Sequence, residues 1–399
     1  MSHYSRIFAV LFLFFFTVSL SAQEKFIINY LPGEKFKVIE KHDMSKRING
    51  KYVGYIYREV RGIFEVTPAQ GKASGFEGKY YVLEEMKRNT LNVAQKIDAV
   101  TDAKFSIAPD GQYIVADSAA FPLLRSFPAF PSKKLVPGDN WQAYGTRVVE
   151  PKRDGVYTRV KFYCDYTYKG EGNLNGVPCD IIQAQYAMRY KRGQDVYGDP
   201  NLSDISGKHM VTIYYDADRM RPLFSRDSVE ETYTFADGSV ETYKGFILTF
   251  YDMITTLPHT EVVKKLEDEL EEKKIEDVVI EKRDEGVAIT LNKIHFLPDQ
   301  AVIRTDDLPR LEKLAESLKT IPDRTFLVVG HTAEWGTVES QVSLSIDRAK
   351  AIVDYLSKKG IPAERFIYQG RGSTEPVAIN DTEEGRIQNR RVEIIILED

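Results

Sequence analysis

The 23 tyrosines of this 399-residue chain are distributed very unevenly, since all but Tyr355 and Tyr368 lie before residue 258. Tyrosine is enriched in β-strands. Apolar and polar residues also alternate in this tyrosine-rich part, as they do in half-buried strands, at 52–66, 156–168 and 210–215. Turn signals such as Asp237-Gly238 separate these segments. Residues 23–257 are therefore predicted to form a large antiparallel all-β domain.

The pattern changes after Pro258. Val262, Leu266 and Leu270 recur every four residues, which predicts a short helical linker over 258–275 with one narrow apolar stripe. Such a stripe is too narrow to dock both neighbours, so we expect a hinge here. Residues 276–399 interleave strand and helix patterns, which indicates an α+β domain with helices packed on a sheet. The chain is thus predicted to be a multidomain protein.

The first 22 residues have the pattern of a cleavable signal peptide. Arg6 precedes an apolar run from Ile7 to Val18, and the small residues Ser21 and Ala22 follow. The run is too short to span a bilayer, so an uncleaved anchor is the less favoured alternative. No cysteine follows the run to carry a lipid. We expect the mature chain to start at Gln23 and to reside in the periplasm or at the outer membrane.

Charge and cysteine content narrow the classes of partner. The formal net charge is −5, which argues against nucleic acid as a partner. The cysteines Cys164 and Cys179 are placed symmetrically about a turn-like stretch at 170–173, so a hairpin closed there would bring their sulfurs together. We expect a disulfide, with two buried free thiols as the alternative. Neither a metal site nor a cofactor is expected.

Four prolines crowd the segment around 122–141, and they break strands. This segment is predicted to be a crossing between two halves of the β domain. It also carries Phe127, Phe130 and Trp141. These aromatic side chains either cap the core or form a binding surface for a partner or an apolar ligand.

Several ordered motifs of the C-terminal third resemble the OmpA-like peptidoglycan-binding domain. They are Gly330-His331-Thr332, Gly336, Leu344-Ser345, Arg348-Ala349, Gly360-Ile361-Pro362, Gly370-Arg371-Gly372, Pro376 and Asn389-Arg390-Arg391-Val392-Glu393. The resemblance implies helices on a mixed sheet and noncovalent capture of the diaminopimelate side chain of a peptidoglycan stem peptide. In that family an Asp accepts from the ligand's ammonium and an Arg holds its carboxylate.

Arg348 stands at the family's Arg position, whereas Ala333 stands at the Asp position and Gln341 at the usual Asn. Glu334 could supply the missing carboxylate by turning inward. Arg348 could instead pair with Asp347 or Glu339 on its own helix. The pocket would also include Thr332, Asn389 and Arg390, although the last two could merely begin the final strand. His331 is expected to be a hydrogen-bonded residue at a strand end.

These observations predict a non-enzymatic structural protein of the cell envelope. Its C-terminal domain would contact peptidoglycan, and its β domain would face the outer membrane or a periplasmic protein partner. The alternative is a binding or scaffold protein whose OmpA-like domain no longer binds the wall and whose β domain holds a lipidic or protein ligand. An enzyme with its site hidden in the β domain is a third alternative.

Overall fold

The computed structural model describes residues 26–87, 94–254, 257–283, 285–297, 299–321 and 324–398. The predicted signal peptide, residues 1–22, lies outside these ranges. The strands before residue 255 are β1 (Lys35–Ile48), β2 (Lys51–Pro68), β3 (Ser74–Leu83), β4 (Met86–Lys87), β5 (Gln95–Ile107), β6 (Tyr113–Ile114), β7 (Leu124–Arg125), β8 (Asn140–Val149), β9 (Thr158–Leu174), β10 (Val177–Lys191), β11 (Leu202–Asp216), β12 (Arg221–Phe235) and β13 (Val240–Ile254). Then follow α1 (His259–Glu272), β14 (Val278–Arg283), β15 (Gly286–Leu291), α2 (Leu308–Lys319), β16 (Phe326–His331), α3 (Val338–Lys358), β17 (Phe366–Gly372), α4 (Glu383–Asn389) and β18 (Val392–Leu397).

Strands β1 to β13 form an antiparallel sheet, as the alternating sequence predicts. The order is β6, β5, β3, β2, β1, β13, β12, β11, β10, β9, β8, β7, and the short β4 pairs with β2. Every second residue of β10 from Ile182 to Tyr190 is buried and the residues between them are exposed. One face of each such strand therefore contributes to the core.

The proline-rich segment joins opposite edges of this sheet, because it runs from β6 to β8 by way of β7. Its aromatic residues point into the core: Phe127, Phe130 and Trp141 are all buried in one cluster with residues of both sheet edges. The Trp141 indole N–H donates to the carbonyl of Ala129 at 2.8 Å. The core-capping alternative is therefore the one that the structure shows, and these rings do not form a surface patch.

The predicted disulfide is wrong, because both thiols are free and buried. Strands β9 and β10 do form a hairpin, but Cys164 lies opposite Tyr186 and Cys179 lies opposite Gly172. Seven ladder positions of roughly 3.3 Å each separate the sulfurs by about 23 Å. The turn is at Asn175-Gly176, where both residues have positive φ (51° and 93°), as the favoured two-residue hairpin turn requires. The predicted pairing of the cysteines assumed a turn at 170–173, which lies before the observed turn.

The C-terminal strands form a mixed sheet in the order β14, β15, β18, β16, β17, in which β16 and β17 are parallel and the other pairs antiparallel. One face packs against α2 and α3, with buried residues such as Val328 and Ile394 facing Leu314 and Ile352. Helix α1 joins the same core through Leu266, which is fully buried. The predicted α+β class of this part, with helices packed on a mixed sheet, is confirmed.

The opposite face of this sheet packs against the β domain. Its buried residues are Ala288, Leu327, Val329, Ile367, Ile395 and Leu397, which contact Tyr81 and Leu83 of β3 and Ile97 of β5. The start of β5 also pairs in parallel with β17, extending the C-terminal sheet. The expected hinge is therefore not what the structure shows. The narrow apolar stripe of α1 did not predict this contact, because the β domain and the C-terminal domain pack together through their sheets.

Candidate functional site

The residues of the resemblance surround the carboxyl end of β16, where the loop 332–337 leads into α3. Thr337 caps α3, since its Oγ1 accepts from the Ser340 N–H at 3.2 Å. Gln341 in the first turn of α3 donates from Nε2 to the Gly336 carbonyl at 3.2 Å and accepts from the Ser373 hydroxyl. Gln341 thus fastens the loop to the helix and to the segment after β17.

Arg348 lies about two turns after Gln341 on the same face of α3 and is 7% exposed. Its Nε donates to the Gln300 carbonyl at 3.2 Å, and its guanidinium lies 5.0 Å from the centre of the Phe296 ring. Among the described residues it forms no salt bridge, so the expected alternative of pairing with Asp347 or Glu339 is not seen. Burial lowers the pKa of Arg348, the charge of Arg390 lowers it further, and Asp299 opposes both. The guanidinium is thus held in place but not neutralised by an ion pair.

The position of the family's Asp carries no charge here. Ala333 is 7% exposed and follows directly on the strand end. Glu334, the candidate for replacing the carboxylate, has an exposed side chain, and its backbone N–H donates to Asn380 Oδ1 at 3.2 Å. Successive residues of an extended segment point to opposite sides, so burial of Ala333 directs Glu334 outward.

Thr332 and His331 contribute buried polar groups that make no hydrogen bond among the described residues, although His331 Nε2 lies 3.6 Å from Glu393 Oε1. Thr332 Oγ1 and both ring nitrogens of His331 are buried and have no hydrogen-bond partner among the described residues. His331 is the last residue of β16, as expected, but its side chain is not hydrogen-bonded. Burial, followed by the charge of Arg391, lowers the pKa of His331 to about 4. The imidazole is therefore neutral at pH 7.

Asn389 and Arg390 have different surroundings. Asn389 is fully buried, accepts from the backbone N–H groups of Val377 and Ala378 at 2.8 and 3.0 Å, and donates to the Ala378 carbonyl at 2.8 Å. It holds the loop before α4 rather than facing a ligand. Arg390 donates to Glu383 at 2.6 Å, and its charge still acts on Arg348. Two guanidinium groups therefore contribute positive potential to this site.

The loop after Phe296 resembles the family's first loop at Asp299 and Ala301, and in the structure it holds Arg348. Phe296 and Ile303 form an isolated bridge, closed by a Leu297 N–H bond to the Val302 carbonyl at 2.9 Å. The loop tip carries Asp299 and Gln300, whose charge and carbonyl act on Arg348. No sequence signal predicts which loop carbonyl accepts from an arginine 48 residues away. The resulting site can receive a carboxylate through charge-assisted hydrogen bonds but presents no anion at position 333.

Comparison with known proteins identifies this part of the chain. Residues 295–390 match the OmpA family. The C-terminal third carries an OmpA family domain. This domain is 38% identical over 109 residues to the peptidoglycan-binding protein ArfA of Mycobacterium bovis, covering 27% of this chain and 33% of ArfA. It is 36% identical over 99 residues to outer membrane protein A of Bordetella avium, covering 25% of this chain and 51% of that protein.

The chain therefore spans between a third and a half of the length of these two relatives. Among solved structures, the cell wall anchor of the T6SS from Pseudomonas aeruginosa is 30% identical, with 35% of this chain and 97% of that chain covered and a TM-score of 0.30. The two curated relatives are named as a peptidoglycan-binding protein and an outer membrane protein. The match to the OmpA family, residues 295–390, does not extend over the β domain.

Two further properties concern the described residues alone. They contain no group of three or more His, Cys, Asp or Glu side chains placed to hold a metal ion. None of their helices is both long enough and apolar enough to cross a bilayer.

Proposed function

We propose that this chain is a non-enzymatic protein of the cell envelope whose OmpA domain contacts peptidoglycan noncovalently. The relatives that support this are named as a peptidoglycan-binding protein and, in Brucella melitensis, as a peptidoglycan-associated lipoprotein. A protein with this role resides in the periplasm or at the outer membrane. In this proposal residues 23–257 are the all-β domain, 258–275 the linker and 276–399 the OmpA domain.

The observation that carries the proposal is the guanidinium of Arg348. It is buried, fixed by the Gln300 carbonyl and the Phe296 ring, and without a salt bridge among the described residues. A buried cation of this kind calls for an anion, and a stem-peptide carboxylate fits the planar donor pair of arginine. Ala333 offers nothing to an ammonium group beside that carboxylate. The missing charge-assisted hydrogen bond is worth roughly 1.5 to 3 kcal/mol, so wall affinity is about 10- to 150-fold below that of a complete site.

Binding to isolated sacculi at fixed salt tests the proposal. Wild type should bind weakly, Arg348→Ala should bind more weakly still, and Ala333→Asp should gain at least about tenfold by restoring the anion. Arg348→Ala in the Ala333→Asp background should abolish that gain. Lys350→Ala is the matched control, since it removes one positive charge from the exposed side of the same helix. Tight wild-type binding that is insensitive to Arg348→Ala would show that other residues hold the wall.

A second function is favoured by Ala333 itself. A buried alanine in place of the anion suits a domain that serves as a scaffold, with the ligand held by the β domain. Under this alternative wild type, Arg348→Ala and Ala333→Asp all bind sacculi equally weakly, so neither substitution changes the affinity. The same measurement thus separates the two functions.

A further inference from the structure

The β domain encloses a cavity on the inner face of its sheet, far from the Arg348 site in sequence and fold. The space open to the centre of a water-sized molecule is about 40 Å³. The walls are mainly aromatic and aliphatic, and they come from strands that are distant in sequence. The lining residues central to the cavity are Tyr30, Phe36, Glu40, Tyr80, Phe105 and Tyr113. A largely apolar pocket with few convergent polar groups is the usual form of a small-molecule site.

Glu40 is the one residue with a formal charge among those that line the cavity. It is 8% exposed and projects inward from β1 on the same side as Phe36 and Val38. Its one ion-pair neighbour among the described residues is His42, whose Nε2 lies 3.2 Å from Oε2. Burial is the largest influence on both groups. Burial lowers the pKa of His42. Burial acts to raise the pKa of Glu40, but the hydrogen bond to His42 and the charges of His42, Arg147 and Arg58 together lower it. The pair at pH 7 is therefore a neutral imidazole donating to a carboxylate.

The cations nearby are engaged elsewhere. Arg147 donates to Glu231 at 3.0 Å, and Arg58 donates to Glu150 at 3.1 Å. Buried carboxylates are ordinarily paired with a cation. Glu40 thus lacks one among the residues that the structure describes.

Tyrosine side chains line the cavity together with this carboxylate. Tyr80, which is 3% exposed, and Tyr113 are among them. Burial and then the charge of Glu40 raise the pKa of Tyr113. The rings of Phe105 and Tyr113 stack at 5.6 Å, and Phe36 lines the same cavity. A carboxylate in a cavity lined by aromatic rings is an arrangement that recognises organic ammonium ions, because ring faces attract a cation.

We propose that this cavity binds a compact organic ammonium ion, which pairs with Glu40 and contacts the faces of the surrounding aromatic rings. The ligand is compact because the walls are closely spaced rings. Its positive charge is what the enclosed carboxylate lacks. This site is independent of the OmpA domain and of whether that domain binds the wall.

Calorimetric titration of the full-length protein tests this inference with choline as the probe. The uncharged isostere 3,3-dimethyl-1-butanol and potassium chloride serve as comparison ligands. We expect choline to bind at least about tenfold more tightly than the isostere. Glu40→Gln, which keeps the size of the side chain and an acceptor for His42, should remove that preference. Glu77→Gln changes the same charge on the exposed part of β3 and should leave it intact.

Each other outcome overturns the proposal. Equal binding of choline and its isostere, or choline preference that survives in Glu40→Gln, would show that Glu40 does not select a cation. An equal response to potassium would assign the site to an inorganic ion. Absence of heat with millimolar choline, in protein whose circular dichroism and thermal transition are native, would show that the cavity does not take an organic ammonium ion.

Discussion

The interface between the two sheets predicts that a substitution in the β domain loosens the OmpA domain. Leu83 of β3 is fully buried against the C-terminal sheet. Leu83→Ala removes its packing and leaves a cavity, which costs roughly 2 to 5 kcal/mol for a buried leucine. We expect backbone amides of β16 and β18 to exchange hydrogen faster in this variant, by about 30-fold or more at the lower figure, as followed by mass spectrometry.

A matched leucine tests whether the effect passes through the interface. Leu202 is equally buried but belongs to the core inside the β sheet. Leu202→Ala should destabilise the β domain by a similar amount while changing exchange in β16 and β18 much less. If the two variants accelerate exchange there equally, or if neither does, the packing of Leu83 against the C-terminal sheet does not stabilise it and the reasoning is refuted.

Two further predictions follow from buried side chains. Burial raises the pKa of Cys164 to about 12. We expect neither Cys164 nor Cys179 to react with iodoacetamide in the folded protein, and we expect two thiols per chain to react after denaturation without reductant. If the denatured chain does not react, the two cysteines form a disulfide. The folded-state pKa of His331 lies below the ordinary 6.5, so the unfolded chain takes up the proton first as the pH falls. The free energy of unfolding therefore decreases from about pH 6.5 towards pH 4, by about 2 to 3 kcal/mol at pH 4.5. Urea unfolding at pH 7 and 4.5 should show a smaller difference in His331→Gln, and an unchanged difference would contradict this.

Patterns of local burial were predictable from the sequence. The alternation in β10 indicated one buried face, and the structure places it there. Strands β15, β16 and β18 are apolar at nearly every position, which is typical of strands buried on both faces. That pattern indicates a covering layer on each face of the sheet. What no local pattern specifies is the identity of that layer, because β3 and β5 come from residues more than 180 positions away.

The conformation of the turn residues explains why the predicted disulfide is wrong. Asn175-Gly176 is a strong hairpin signal, since both positions of its turn need positive φ. The prediction placed the turn at the glycine-rich stretch 170–173 instead. Gly170 also has positive φ, but it lies within β9, where the register shifts between Ile181 and Ile182 of the partner strand. A glycine inside a strand pattern more often marks such an irregularity than a turn.

The two candidate sites differ in how far they could be foreseen. Motif order indicated Arg348 and the vacant charge at Ala333, because these residues lie on one local unit of strand, loop and helix. The cavity around Glu40 is lined by residues of β1, β3, β5 and β6, which only the folded sheet brings together. The sequence held one hint, since Glu40 occupies an inward position after Phe36 and Val38 in an otherwise apolar alternation. A charge at such a position indicates either a buried partner or a ligand.

The packing of the OmpA sheet restricts where it can meet the wall. Helices α2 and α3 cover one face, and β3 and β5 cover the other. Contact with a large polymer must therefore use the loops at the strand ends, and the loops after β16 and β17 meet there because those strands are parallel. Arg348 faces this region from α3. A wall-bound domain would thus hold the β domain at a fixed orientation, as a tether requires, because the joining surface is a sheet interface and not a flexible linker.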